Sequence, residues 1–285
     1  MILGNWALLL LLSVSAAGGQ VSAGEKGEGG GATGPDYATV ETRTVIEAMV
    51  EAHGGMDAWR RVESFRFRML SKVSGQANAW LSTETVEPST GRSVLDWPVL
   101  DASIVWDGEE VWSVNWPPEP PPGFFPRLSY AFVTLPFLTQ AGEVSLGPVK
   151  HGRVPGDSTE YLTVRMTYLQ QNPDIPGDYY KLFIDPASHL LKAIEFNITH
   201  PGMIADRNQA LGPIVHVFEE YTAVGALTLP TYYVTFGFNP RNENVSSALH
   251  VVFDISVNGQ FDEARMQRPA NAVTDVQTLT FWEGR

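Results

Sequence analysis

A chain of 285 residues with 44% hydrophobic content and 8 Trp can bury one large core or two modest ones. Its formal charge of -13 disfavours nucleic acid and anionic membrane surfaces as partners. The absence of cysteine excludes a thiol nucleophile, a disulfide framework, a Cys-ligated metal and a lipid anchor on an N-terminal Cys.

Residues 1–23 carry no Asp, Glu, Lys or Arg, so all the charge belongs to residues 24–285. An apolar run from Trp6 to Leu12, then small residues ending in Val21-Ser22-Ala23, has the form of a secretory signal peptide, with Val14-Ser15-Ala16 as an earlier cut. The run is shorter than the ~20 residues a spanning helix needs, so cleavage is expected rather than an anchor. Residues 24–38 open with "GEKGEGGGATGPD", the composition of a flexible linker. A single domain is expected over 39–285.

That domain opens with a helix in "TVETRTVIEAMVEAHGG", which puts Ile46, Met49, Val50 and His53 on one face and stops at Gly54-Gly55. A short helical turn over Met56 to Val62 comes next. At Phe65 the period changes to two: Phe65, Phe67 and Met69 alternate with Arg66 and Arg68. Further strands are expected over 79–86, 103–106, 111–116, 161–168, 179–185, 190–199, 214–221, 230–238 and 249–257. Turn formers such as "DGEE" at 107, "DPASH" at 185 and "NGQ" at 258 separate them. Short connections favour an antiparallel meander over βαβ crossovers. The exception is "WPPEPPPGFFPRLSYAFVTLPFLTQ", residues 116–140. Its prolines bar a central strand, and Phe124, Leu128, Phe132 and Leu135 then recur at helical spacing, with Pro126 suited to the first helical position.

Catalytic signatures are missing. The chain has no G-x-S-x-G elbow, H-E-x-x-H helix, Walker loop or dinucleotide Gly fingerprint, and its six histidines lack metal-ligand spacing, so no cofactor or metal is expected. His216 and His250 fall in strands that can bring them together, with local hydrogen bonding the ordinary role for each. Glu219-Glu220 and Glu109-Glu110 fit solvated charge, and Arg66, Arg68 and Lys72 fit a charged wet face that protects an edge. "NIT" at 197 and "NVS" at 244 match the N-glycosylation pattern, which matters only in a glycosylating host.

One ordered set of segments says more: "AHGGMDAWRRVESFRF", "VWDGEEVWSV", "YYKLFIDPASHLLKAIEF", "FEEYTAVGALTLPTYYVTF" and "VFDISVNGQFDEARMQRP". Together they resemble the bacterial outer-membrane lipoprotein-sorting family, the LolA/LolB-like proteins, over roughly residues 40 to 269. The resemblance implies an α+β, mostly antiparallel fold: a single curved sheet, or half-barrel, closed by a few helices around an apolar cavity that shelters acyl chains. It also implies binding rather than catalysis, in the periplasm or outside the cell. This chain departs from the carrier type in its length and its Pro-rich insertion at 117–126, and from the receptor type in lacking the anchoring Cys. The resemblance therefore implies not the lipoprotein carrier itself but a relative, a lipid- or lipoprotein-binding protein that uses the same cavity for another lipid or for sensing.

The residues proposed to line that cavity are Phe65, Phe67, Trp106, Trp112, Leu182, Ile184, Ile194, Phe196, Tyr232, Val234 and Phe236, with Phe124, Leu128 and Phe132 on a lid. Taken singly, each also fits ordinary core packing. Sheltering an acyl chain from water is worth ~0.8 kcal/mol per methylene, which a concave aromatic face can supply. Two alternatives stay open: an envelope-sensing or protein-interaction module whose prolines at 117–122 dock a partner, and a hydrolase with dispersed catalytic residues.

Overall fold

Thr39 caps the first helix, α1 (Val40–Ala52), its Oγ1 accepting the Thr42 N–H at 3.0 Å. Ile46, Met49 and Val50 recur at helical spacing and are buried. The helix stops at Gly54, whose φ of 112° only glycine adopts readily, and the chain turns directly into α2 (Gly55–Trp59). His53 at the stop pins this corner to the sheet. Its Nδ1 lies 2.7 Å from the Thr228 carbonyl and its Nε2 accepts the Leu191 N–H at 3.0 Å. Those two bonds set the tautomer: Nδ1 carries the proton.

The computed structural model describes residues 34–117, 120–168, 179–198, 211–237 and 246–275. The expected leader at 1–23 and most of the expected linker lie outside them. The linker's last part does not. β1 (Asp36–Tyr37) pairs in parallel with β7 (Val144–Leu146), held there because the Tyr37 hydroxyl bonds the Gln140 side chain and the Ala38 N–H bonds the Leu146 carbonyl.

Two antiparallel meanders build the sheet. The first runs β2 (Phe65–Val73), β3 (Trp80–Val86), β4 (Ser93–Trp97), β5 (Ala102–Trp106) and β6 (Val111–Val114). The second runs β9 (Tyr161–Tyr168), β10 (Tyr180–Ile184), β11 (Leu191–Ile198), β12 (Leu211–Val224), β13 (Leu227–Phe236) and β14 (Ser246–Val257). Pairing of β14 with β2, from Ala248↔Val73 to Val257↔Phe65 with a register shift between Phe253 and Ser256, joins them. β7 and then β1 extend one edge beyond β9, and β15 (Val273–Thr274) extends the other beyond β6; β8 (Lys150–Gly152) pairs with β9 off this path. The edges do not meet, so the sheet is curved and open rather than a barrel. Among the described residues no helix is long and apolar enough to cross a membrane.

Strand alternation sends two sets of side chains to opposite faces. The inner face carries the main core, including Phe65, Phe67, Leu95, Trp97, Ile104, Leu182, Ile194, Phe196, Phe218 and Tyr233, packed against α1, α2 and α3 (Phe124–Thr134). The outer face is not bare. Val154, Tyr161, Phe183, Ala193, Val215 and Val217 form one cluster there, and Val94, Val105 and Trp112 form another with Met266 and Ala272 against it.

A Cβ at position 54 would stand 2.2 Å from the Ala226 carbonyl oxygen, on a backbone conformation that L side chains avoid. Gly54→Ala is therefore expected to destabilise the fold by about 2 kcal/mol, read as a lowered urea midpoint with an unchanged slope.

Candidate functional site

Helix α3 is the element that faces the concave wall. The proline run before it folds back on the domain: the Trp116 Nε1–H donates to the Pro120 carbonyl at 2.9 Å. Gly123 precedes the helix, and its N–H donates to the buried Asp275 carboxylate at 2.7 Å, so a residue just past β15 ties down the helix start. Along α3, Phe125 meets Trp97 and Trp116 edge-on at 5.3 and 5.0 Å, and one turn from its end Phe132 lies 5.4 Å from Phe67 and 5.7 Å from Tyr233, stacked on the latter. These contacts place one face of the helix on the sheet without filling the hollow.

Among the described residues two cavities lie against α3, and Leu128 lines both. The smaller, about 20 Å³, is walled by Phe132 and Leu135 of the helix and by Ile194, His216, Phe218 and Tyr233 of the sheet. The larger, about 80 Å³, lies between α3 and the first meander, with Met69, Trp80, Trp97, Trp116 and Phe125 as its apolar walls and Ser71, Ser82, Glu84 and His250 as its polar ones. Among the described residues, no Lys or Arg lines either cavity.

Glu84 is buried on the inner face. Ser82 Oγ donates to one of its carboxyl oxygens at 2.5 Å, and Ser129 Oγ, from α3, bonds the other. Among the described residues no Lys or Arg pairs with it. Burial pushes its pKa up, against the pull of the Ser129 and Ser82 hydrogen bonds. In its neutral form the acid is a proton donor to Ser129, whose own hydroxyl proton is then free for the Phe125 carbonyl 3.2 Å away.

A second polar chain crosses the inner face of β2, β14, β13 and β12. Ser71 Oγ lies 2.8 Å from His250 Nδ1, His250 Nε2 lies 3.2 Å from Thr235 Oγ1, and Thr235 Oγ1 lies 2.8 Å from His216 Nδ1. Tyr233 stacks on the His250 ring at 4.4 Å. Burial depresses both histidines, His250 to about 3, and the His250 neighbour adds to the shift at His216. Both rings are therefore neutral at physiological pH. A Ser–His pair invites comparison with a hydrolase, but His250 is far too weak a base near pH 7, and Ser71 sits mid-strand, in register with Trp80 on one side and His250 on the other. Nothing there resembles an exposed, activated nucleophile.

The structure distributes the sequence-derived lining residues unevenly. Phe65, Phe67, Trp106, Leu182, Ile184, Ile194 and Phe196 join the inner core, and of these Ile194 lines a cavity directly. Trp112 is a correction: it packs on the outer face with Val94 and Val105, because Ser113, its neighbour in β6, takes the inward position. Tyr232, Val234 and Phe236 are corrections of the same kind. Tyr233 and Thr235 are the buried inward residues of β13, so their even-numbered neighbours face out, and Phe236 packs against the outer cluster. On α3, Phe124 is buried in the core, Leu128 lines both cavities and Phe132 lines the smaller. Tyr233, Trp97, Trp116, Phe218 and Glu84 were not read as lining residues; Glu84 shares strand parity with Ser82 and Val86, a signal that a carboxylate masks.

No family model matches the chain, and no curated protein matches its sequence. Solved structures do. A LolA superfamily protein from Nitrosomonas europaea is 11% identical, with 80% of this chain and 97% of that one covered at a TM-score of 0.48. A DUF1329 family protein from Desulfovibrio piger is 9% identical, covering 81% of this chain and 98% of that one at 0.49. A domain named for outer-membrane lipoprotein sorting, from Vibrio parahaemolyticus, is 12% identical, covering 79% and 97% at 0.45. These similarities meet the resemblance read from the ordered hairpins. At such identities and scores they say nothing about ligand or mechanism.

A carboxyl group whose folded pKa is raised contributes stability that is fully present below its unfolded value near 4.5 and is lost as pH rises toward the folded value. Glu84→Gln removes that loss while keeping the shape. In urea titrations from pH 4.5 upward, the stability of the variant relative to the unsubstituted protein is expected to increase with pH and to level off once the folded-state value is passed.

Proposed function

We propose that the protein is an exported, non-enzymatic lipid- or lipoprotein-binding protein that shelters acyl chains beneath α3. The observation that carries this reading is the pair of cavities on the concave face, walled mainly by Phe, Leu, Ile, Trp and Tyr, with Leu128 lining both. Apolar space of this kind gains nothing from ions and excludes headgroups that need a cationic partner. It gains ~0.8 kcal/mol for each methylene that enters from water. Helix α3, held at its start by Asp275 and along its length by aromatic stacking and one carboxyl contact, is suited to shift as a lid and enlarge the space.

The proline segment supports this reading over a docking module. Pro120 and Pro121 are buried, and Pro117 and Pro120 line the larger cavity, so the described prolines are spent as its wall rather than offered to a partner. A leader at 1–23 that delivers the domain to the periplasm or outside the cell belongs to the same proposal.

Native mass spectrometry of protein purified from its own compartment is expected to show an acyl-bearing adduct. Leu128→Trp fills the junction of the two cavities and denies space to at least two methylenes, so it is expected to weaken long-chain binding tenfold or more by isothermal titration calorimetry. Its overpacking cost of about 1–3 kcal/mol leaves the circular dichroism spectrum intact. Equal affinity in the two proteins overturns the cavity as the binding place.

A further inference from the structure

His216 is 4% exposed, and its Nε2 has no hydrogen-bond partner among the described residues. The ring lies against Phe196 at 5.0 Å and Tyr233 at 5.2 Å and lines the smaller cavity. Leaving a buried ring nitrogen unpaired costs about 1–3 kcal/mol, a cost that a ligand oxygen arriving at that atom would relieve.

The chain behind His216 determines what it offers. A neutral imidazole has one N–H and one lone pair, and Thr235 has a single hydroxyl proton. If His250 Nε2–H donates to Thr235, then Thr235 donates to His216 Nδ1, and His216 presents an N–H at Nε2. In that order Ser71 donates to His250 Nδ1. The reverse order is equally consistent with the distances: His216 Nδ1–H donates to Thr235, Thr235 to His250, His250 Nδ1–H to Ser71, and His216 Nε2 is then a bare acceptor. Both orders carry the same number of protons and no net charge; passing from one to the other hands a proton along each bond, takes one off His216 Nε2 and returns one to Ser71. One end of the chain lies in each cavity, His216 in the smaller and Ser71 in the larger.

We propose that His216 Nε2 is the polar anchor of the ligand, binding an uncharged oxygen, an ester carbonyl or a hydroxyl, at the head of an acyl chain that lies along the apolar wall. This rests on the acyl-chain reading above and specifies its polar end. The reversible order lets one nitrogen serve either oxygen: a carbonyl sets the N–H form and a hydroxyl sets the lone-pair form. Charged heads are disfavoured, because among the described residues no Lys or Arg lines the cavity and none pairs with the buried carboxyl of Glu84.

The test uses the full domain with histidines labelled in 15N, 1-monodecanoylglycerol as the uncharged probe and decanoate as its charged counterpart. Binding of the monoglyceride is expected to shift the Nε2 resonance of His216 in long-range 1H–15N spectra. His216→Phe, which keeps an aromatic ring among aromatic neighbours, is expected to lower monoglyceride affinity about fivefold to tenfold, the worth of one hydrogen bond. Decanoate is expected to bind more weakly than the monoglyceride to the unsubstituted protein. If the monoglyceride binds and the Nε2 resonance does not move, the anchor is wrong and the acyl cavity stands. A resonance already at its hydrogen-bonded position before ligand is added means a bound water, and the anchor is overturned in that case too. If neither probe binds, the acyl reading itself fails. Because the resonance is followed in the unsubstituted protein, the outcome does not depend on how well the variant folds.

Discussion

The seating of Phe132 against Phe67 and Tyr233, stacked on the latter, is the contact on which the interior depends. Phe67 belongs to the first meander and Tyr233 to the second, so one ring of α3 touches both halves of the sheet at the place where β14 and β2 join them. A sheet this wide cannot lie flat, because its strands twist, and the curl leaves a concave face too broad for one helix to cover. Phe132 fixes where the helix rests, and the hollows on either side of it are what the helix leaves uncovered.

Most of the buried polar groups in this interior are bonded, the Ser93 hydroxyl being one exception among the described residues. Glu84 has two hydroxyls, His250 has Ser71 and Thr235, and His53 has two backbone groups. Such networks in an apolar wall fix the positions of the side chains that make them, since an alternative packing would strand a buried polar atom. His216 departs from that rule at one nitrogen, in a ring that is otherwise held by its neighbours on every side.

Much of the architecture was legible in the sequence. The helical stripe of Ile46, Met49, Val50 and His53, the stop at Gly54-Gly55 and the long alternating strands all come from periodicity and turn chemistry that act over a few residues. What escaped was decided across the sheet. In "TYYVTF" both parities are apolar, and only the pairing of Tyr233 with His250 and of Thr235 with Ala248 turns the odd-numbered set inward. β4 was missed because Asp96 interrupts its apolar pattern; in the structure that carboxylate is bonded by Ser103 and by Arg265, the latter far away in sequence. β7 and β8, three residues each, are too short to show a period at all. Nothing local announces that two serines will house Glu84.

The bond from the Gly123 N–H to Asp275 carries a consequence for the order in which the molecule is made. Helix α3 is complete by Thr134, yet the carboxylate that holds its first turn is synthesised only after both meanders have emerged. Until then the start of the helix has only its aromatic contacts to hold it against the wall. The cover of the hollow is thus fastened from the far end of the domain, so a chain ending short of Asp275 lacks the bond that holds the first turn of α3.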